Sequence, residues 1–355
     1  MVSEMNAAVY QGHSRVRVES IPVPAIGPGE LLVRVESCGI CHTDLKKIEY
    51  DLLPGPRVYG HETAGDVVAV GDGVTSFAPG DRVVAFHHIP CLDCFYCERK
   101  LFAQCPVYKK VGITAGFEPA GGGFAQYVRI MDWIVRRGVE KIPPGVTYDQ
   151  ACFVEPVNTI LKGVELVEAR PGDHVLVQGQ GPIGLLFTRM LSLRGCRVVA
   201  TDTIPARLDL SRRMGAVECL DPMAVDVPGT MKRMTAGRGA DIVVSATSVR
   251  GLVEEAVRAS RPGARILLFA QTSDKERIEL SGADICVGER VLLGSYSASV
   301  ELQKESARMV FSGELRVEEL ISHRLPLGEF ERGIGLALHP DAKSLKIIVQ
   351  PQRML

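Results

Sequence analysis

Neither sign of charge is in excess in this sequence: 41 lysines and arginines face 42 aspartates and glutamates, for a formal net charge of −1. Nothing therefore argues for nucleic acid or an anionic membrane as a partner, since both are recognised through surplus positive charge. The amino terminus, MVSEMNAAVYQG, lacks the basic segment and apolar run of a secretory signal. No uninterrupted apolar stretch approaches the ~20 residues that span a bilayer. Internal repeats and low-complexity linkers are missing too. These absences leave a cytoplasmic globular protein as the expectation. At 355 residues, 46% of them hydrophobic and 23% charged, two domains are expected rather than one, because single cores stop growing near ~250–300 residues.

Cysteine is what the chain has in quantity. There are ten, and Cys91, Cys94, Cys97 and Cys105 fall within fifteen residues. In a chain without a signal peptide such a cluster reads as a metal site rather than a disulfide framework. Four thiolates in one loop are enough to close a tetrahedral zinc shell and leave no position open for a substrate. The lobe at 88–108 is thus expected to hold a structural zinc.

Residues 1–150 are rich in short β-type runs, among them Leu31 to Val35, Gly65 to Val70 and Arg82 to Phe86. Turn chemistry separates them at Gly27-Pro28-Gly29, Gly71-Asp72-Gly73 and Pro79-Gly80-Asp81. From about residue 160 to 295 the pattern changes to strands alternating with helices. His174 to Gln178, Arg197 to Thr201, Asp241 to Ala246 and Arg265 to Ala270 are strand candidates. Val249, Leu252, Val253, Ala256 and Val257 form the apolar stripe of a helix. Parallel strands need crossovers, so this half is expected to be a doubly wound parallel sheet. After Tyr296 the chain offers one helical stretch and a late strand candidate, Leu345 to Val349.

Gly179-Gln180-Gly181-Pro182-Ile183-Gly184 matches G-x-G-x-x-G, directly after a strand and opening a helix. The first glycine permits a tight turn, the second lets the backbone approach a pyrophosphate, and the third lets helix and strand pack closely. Asp202 ends the next strand, eighteen residues after Gly184. A carboxylate there accepts hydrogen bonds from ribose hydroxyls and repels a 2′-phosphate, which favours NAD over NADP, although Arg207 close by works the other way.

A second constellation is scattered: Cys41 in Cys38-Gly-Ile-Cys41-His42-Thr43-Asp44, His61 and Glu62 in GHExxGxxxxxG, and Glu155 in Phe153-Val-Glu155-Pro156. Thiolate, imidazole and carboxylate suit zinc with one position left for a reacting oxygen. Ligands so far apart cannot be paired by spacing. Taken alone, the His-Glu pair reads more readily as part of an ordinary surface strand.

The order GHExxGxxxxxG, then CxxCxxCxxxxxxxC, then GxGxxG resembles the zinc-containing medium-chain alcohol dehydrogenase family over essentially the whole chain. The Glu-Pro at 155–156 is similar to its sorbitol, threonine and glucose dehydrogenase branch. The resemblance implies an α/β protein. Its mostly-β GroES-like catalytic domain (1–157) would be followed by a Rossmann NAD-binding domain (158–295) and a return to the catalytic domain (296–355). It implies a catalytic zinc on Cys41, His61 and Glu155, with Glu62 as a fourth, exchangeable ligand or a close neighbour. Asp44 would orient the histidine, Thr43 would pass on the substrate proton, and Cys38 would serve packing alone. His42 would touch the cofactor pyrophosphate. Ile183, Asp202 and Arg207 would line the adenosine half of the cofactor, and Phe269 to Gln271 its nicotinamide half.

The implied activity is hydride transfer between a secondary alcohol or its ketone and NAD, with two zinc ions per chain, in a homodimer or homotetramer. Two departures bear on substrate. Lys46 stands where many members carry the outer histidine of a proton relay. Ser297 and Ala298 stand where polyol-oxidising members carry an Arg-Tyr pair. The competing readings are a non-catalytic member of the same fold, a zinc-free reductase, and an NADP-dependent aldehyde or ketone reductase. The first is disfavoured because Cys41, Thr43, His61, Glu62 and Glu155 are all present. The cysteine lobe with the GHE element disfavours the second, and Asp202 the third.

Overall fold

Leu31–Gly39 is an apolar run whose Leu31, Leu32, Val33 and Val35 are all buried. A strand covered on both faces needs a partner on each edge, and this one has them. Along one edge it pairs antiparallel with Glu62–Val70. Along the other it meets Tyr127–Ile130 near its start and Lys346–Gln350 near its end. The last strand therefore returns from the carboxyl terminus, with Ile348 opposite Gly39 and Val349 opposite Cys38. Register shifts at Leu32/Val33 and Val35/Ser37 interrupt the ladder with Glu62–Val70, and such irregularities bend a sheet. Arg82–Ala85, Val139–Lys141, Ile113–Thr114 and Ile321–Pro326 complete an eight-stranded sheet. Glu4–Gly12, flanked by Arg15–Pro22 and Arg57–Val58, forms a separate three-stranded one.

The computed structural model describes residues 3–108, 112–118, 120–270 and 277–354. The chain divides into two units, Met1–Asn158 with Ala298–Leu355, and Thr159–Ser297. Val33, Val35, Val67, Phe124, Ile347 and Val349 belong to the core of the first.

In the second unit every strand pair is parallel. Read across the sheet, the order is Glu218–Leu220, Arg197–Thr201, His174–Gln178, Ala240–Ser245, Ser260–Leu268 and Val291–Gly294. Chain order thus reverses between His174–Gln178 and Ala240–Ser245, the kind of switch point at which doubly wound sheets bind ligands. Val175, Leu176, Val177, Val243 and Val244 are fully enclosed, as expected for strands covered on both faces.

Two expectations need correction. The stripe that included Val249 is realised only from Leu252 onward: Gly251 starts the helix Leu252–Ala259 with φ at +87°, and Val249 lies before it, 61% exposed. Beyond Tyr296 there is more structure than one helix. Gln303–Phe311 and Phe330–Leu338 are both helical, and Ile321–Pro326 is a strand parallel to Lys346–Gln350. Its mixed sequence, ISHRLP, does not alternate cleanly and ends in proline, so local pattern hides it. Among the described residues no helix is long and apolar enough to cross a membrane.

Candidate active site

Cys41 precedes the helix His42–Glu49 and its carbonyl accepts the N–H of Asp44, while His61 and Glu62 stand at the start of the strand Glu62–Val70. Folding brings one ligand atom from each of Cys41, His61 and Glu62 within 4.8 Å of the others. His61 and Glu62 are buried and Cys41 is partly exposed.

The carboxylate of Asp44 lies 3.1 Å from His61 Nδ1 and also accepts the Cys41 N–H. Burial works against its charge, yet the neighbouring imidazole holds this carboxyl below its usual range. As an acceptor it fixes the proton on Nδ1 and leaves Nε2 for a metal, the usual arrangement of a ligating histidine. Burial likewise opposes charge on His61, but Asp44 and Cys41 hold its pKa well above the ordinary value.

Glu155, in the first turn of the helix Val154–Leu166, is buried but lies outside that close group of three. Burial and the charge of Glu62 push its pKa up to about 7, against a lowering influence from His61. Its Oε1 is 3.9 Å from Nδ1 of His87.

Three neighbours escape a motif search. Lys346, from the carboxyl-terminal strand, is buried in an ion pair with Glu62, and its Nζ also donates to the carbonyl of Ile40 at 3.2 Å. Gly39 makes room for this pair, because a Cβ there would fall 2.0 Å from Glu62 Oε2. His87 packs its ring 4.7 Å from that of His61, and its Nδ1 has no hydrogen-bond partner among the described residues. His88 stacks on Tyr108 with ring centroids 5.0 Å apart. A lysine opening an apolar strand and a His-His pair just before Cys91 are the only traces these residues leave in the sequence.

Thr43 and Lys46 lie on the same short helix as Asp44, both partly exposed, and His42 at its start is exposed. Cys38 is fully buried, with Sγ 3.6 Å from the Thr63 hydroxyl. It takes no part in the close group.

The cysteine lobe is compact. Sγ–Sγ separations are 3.5 Å for Cys105 and Cys91, 3.6 Å for Cys94 and Cys97, and 3.9 Å for Cys91 and Cys97. Sulfurs at the corners of a tetrahedron with zinc–sulfur bonds of ~2.3 Å would be about 3.8 Å apart. The four residues fit one zinc ion. Burial raises the Cys105 thiol, but the N–H groups of Cys91 and Val107 bring it down to about 7.

In the second unit the glycine turn follows His174–Gln178 and opens the helix Pro182–Leu193. Gly179 has φ of +87°. A Cβ on Gly184 would lie 1.8 Å from the Gly179 carbonyl oxygen, whereas one on Gly181 would meet nothing within 4 Å. The first and third glycines are thus required by the protein's own packing, and the second faces open space. Ile183 follows in the first helical turn, partly exposed. Asp202 accepts N–H bonds from Gln180 at 2.7 Å and Ile204 at 2.9 Å, with Arg207 Nη1 at 3.8 Å. Phe269 and Ala270 lie just past Ser260–Leu268, their N–H groups bonded to the Ser245 carbonyl. Gln271 lies outside the described residues.

Comparison with known proteins bears on the whole chain. Residues 27–144 match the alcohol dehydrogenase GroES-like domain family and residues 182–312 the zinc-binding dehydrogenase family. An L-threonine 3-dehydrogenase of Symbiobacterium thermophilum is 30% identical over 94% of this chain and 94% of its own length. An (R,R)-butanediol dehydrogenase of Neisseria gonorrhoeae is 29% identical over 98% of this chain and 99% of its own. The crystal structure of a zinc-binding dehydrogenase from Sinorhizobium meliloti 1021 bound to NADP superposes with a TM-score of 0.89. It is 29% identical and covers 99% of this chain and 100% of that one. Agreement of this extent, in sequence and fold together, makes the chain a member of the zinc-containing medium-chain alcohol dehydrogenase family.

Proposed function

We propose that this protein interconverts a secondary alcohol and its ketone, passing hydride to and from NAD, with a catalytic zinc on Cys41, His61 and Glu155. The close approach of Cys41, His61 and Glu62 carries the metal site, and Glu155, buried but outside that group, is taken as the third ligand from the family resemblance. A zinc ion held there would act as a Lewis acid toward the alcohol oxygen and lower its pKa. NAD would supply the hydride acceptor.

The chain's own residues do the rest. Asp44 keeps the His61 proton on Nδ1, so the ring meets the metal through Nε2. Lys346 holds Glu62 by its carboxylate, so Glu62 reaches the metal as a fourth, exchangeable ligand only when that pair loosens. Glu155, buried and raised to about 7, gains its charge fully when a cation binds beside it. Thr43 Oγ1 would pass the substrate proton onward, accepting it while giving up its own hydroxyl proton toward solvent. Lys46 stands next on the same helix, where a relay histidine is absent. Oxidation would remove one hydride from the carbinol, for which NAD is the acceptor, and one proton, which leaves through Thr43 to solvent.

The cysteine lobe, with its zinc, serves structure. For the cofactor, Asp202 supports NAD, because its carboxylate faces the glycine turn where an adenosine ribose would lie. The NADP-bound relative is the observation on the other side. Substrates of the butanediol and threonine enzymes carry a second polar group beside the carbinol. A vicinal diol or amino alcohol is accordingly the first class to try. Self-association into a dimer or tetramer is supported by Val291–Gly294, which ends its sheet with one edge unpaired among the described residues. A cytoplasmic location completes the reading.

Zinc content measured beside absorbance at the reduced-nicotinamide band, over a panel of secondary alcohols, tests this. Two zinc per chain with NADH formation supports it. One zinc and no turnover on any alcohol or ketone would replace it with a non-catalytic member of the fold.

A further inference from the structure

A turn built of glycines is conformationally loose, yet the one side chain between its first two glycines is fully enclosed and hydrogen-bonded. Gln180 is fully buried. Its Nε2 donates to the Val177 carbonyl at 3.1 Å and its Oε1 accepts from Thr188 Oγ1 at 3.0 Å, while Ser211 Oγ, at 2.9 Å, shares its one proton between this oxygen and the Arg207 carbonyl at 2.7 Å. Its backbone N–H donates to Asp202 Oδ2 at 2.7 Å. Thr188 and Ser211 are themselves wholly enclosed. One residue thus ties the end of His174–Gln178, the helices Pro182–Leu193 and Pro205–Met214, and the acid that follows Arg197–Thr201.

We infer that Gln180 is the positioning residue of the dinucleotide site: its side chain, rather than the glycines, sets where the turn lies. This rests on the proposal that the turn cradles a pyrophosphate. The glycines permit the path, but Gly181 has nothing within 4 Å of where a Cβ would stand, so packing at that glycine does not hold it. The amide of Gln180 does, from beneath. Both its polar ends are needed, since Val177 offers an acceptor while Thr188 and Ser211 offer hydroxyls. Glutamate has the same shape but lacks the N–H for Val177, and it would bury a second negative charge near Asp202. Leucine keeps most of the volume and loses all three side-chain bonds.

The anchor acts on the phosphate-facing backbone and not on the metal site, which defines the test. Wild type, Gln180→Leu, Gln180→Glu, Thr188→Val and Ser211→Ala are prepared as the zinc-loaded full chain. Dissociation constants are measured for NADH, ADP-ribose and adenosine, with zinc content and the KM and kcat for NAD. For Gln180→Leu we expect NADH and ADP-ribose to bind about 10–100-fold more weakly, since misplaced donors lose most of their value. Adenosine, which carries no pyrophosphate, should change by less than about threefold, and zinc content should hold. KM for NAD should rise while kcat at saturation stays within about threefold. The single hydroxyl deletions, which remove one bond each, should give a smaller loss of the same kind and keep the test open if Gln180→Leu folds poorly. Binding of ADP-ribose within twofold of wild type in the Gln180 and hydroxyl variants alike would overturn the inference. So would an equal loss of adenosine and ADP-ribose, the mark of general loosening. A wild-type protein that binds no dinucleotide would instead overturn the cofactor proposal on which this one stands.

Discussion

Glu62 and Lys346 lie 284 residues apart in the chain and meet as a buried ion pair beside the candidate metal ligands. Lys346 keeps its charge there because Glu62 and other nearby anions outweigh burial, so its pKa is raised. Neither motif nor spacing links the two. The link exists because Lys346–Gln350 lies beside Leu31–Gly39, which in turn pairs with Glu62–Val70.

Replacing Lys346 by methionine should leave the Glu62 carboxylate buried without its cation. Such losses cost about 3–5 kcal/mol, so urea denaturation should show a clear fall in stability. Adding Glu62→Gln should restore part of it. A single variant as stable as wild type would mean the pair is not formed.

Asp44→Asn should weaken the metal site without emptying the cysteine lobe. Loss of a carboxylate that orients a histidine ligand costs about 10–100-fold in metal affinity. Competition with a graded series of zinc chelators measures this directly, and an unchanged affinity would remove Asp44 from its proposed role.

Cys97→Ser should release half of the bound zinc and lower the thermal midpoint, because four sulfurs are spaced for one ion in that lobe. The remaining zinc should still be held by the Cys41 site. Retention of all the zinc would show that the four cysteines do not share an ion.

Asp202→Ala should shift cofactor use toward NADP. The carboxylate faces the turn, and removing its repulsion should narrow the ratio of kcat/KM for NAD over NADP by about tenfold, equivalent to ~1.4 kcal/mol. Steady-state rates with both cofactors decide it, and an unaltered preference would discredit the assignment.

Acid should destabilise the second unit through Asp241. Burial tends to raise this carboxyl, but Arg261 Nε at 2.6 Å and the His174 N–H at 2.8 Å hold it below its usual value. A depressed carboxylate adds stability that is complete above its unfolded pKa, near ~3.9. That contribution is lost as pH falls through the lower, folded value. Asp241→Asn should therefore be less stable than wild type by about 1–2 kcal/mol at pH 7, with the gap closing below pH ~4. A gap independent of pH, seen in chemical denaturation at both ends of this range, would contradict the assignment.

How much of this could be read from residues alone differs between the two halves. In the parallel sheet, His174–Gln178 and Arg197–Thr201 are the very segments expected from their apolar runs. The glycine turn follows the first of them directly. Such features are local: a buried strand, a tight turn and a helix start are each encoded within a few neighbouring residues. The cysteine lobe is equally local, four thiols within fifteen residues. The Cys41, His61 and Glu62 group is not. Its members are recognisable by residue type, but only family resemblance joins them into one site, since nothing in their spacing says that they meet. His87, lodged between His61 and Glu155, had no motif to mark it.

The sequence by itself determined the chemistry on offer: which side chains can ligate, which turns need glycine, where strands alternate with helices. Tertiary structure alone decided which of those side chains share a site. It carried Lys346 back to Glu62, packed His87 against His61, and buried the side-chain amide of Gln180 among Val177, Thr188 and Ser211. Pairing of strands across hundreds of residues follows from burying two faces of a sheet at once, and no window along the chain contains that requirement.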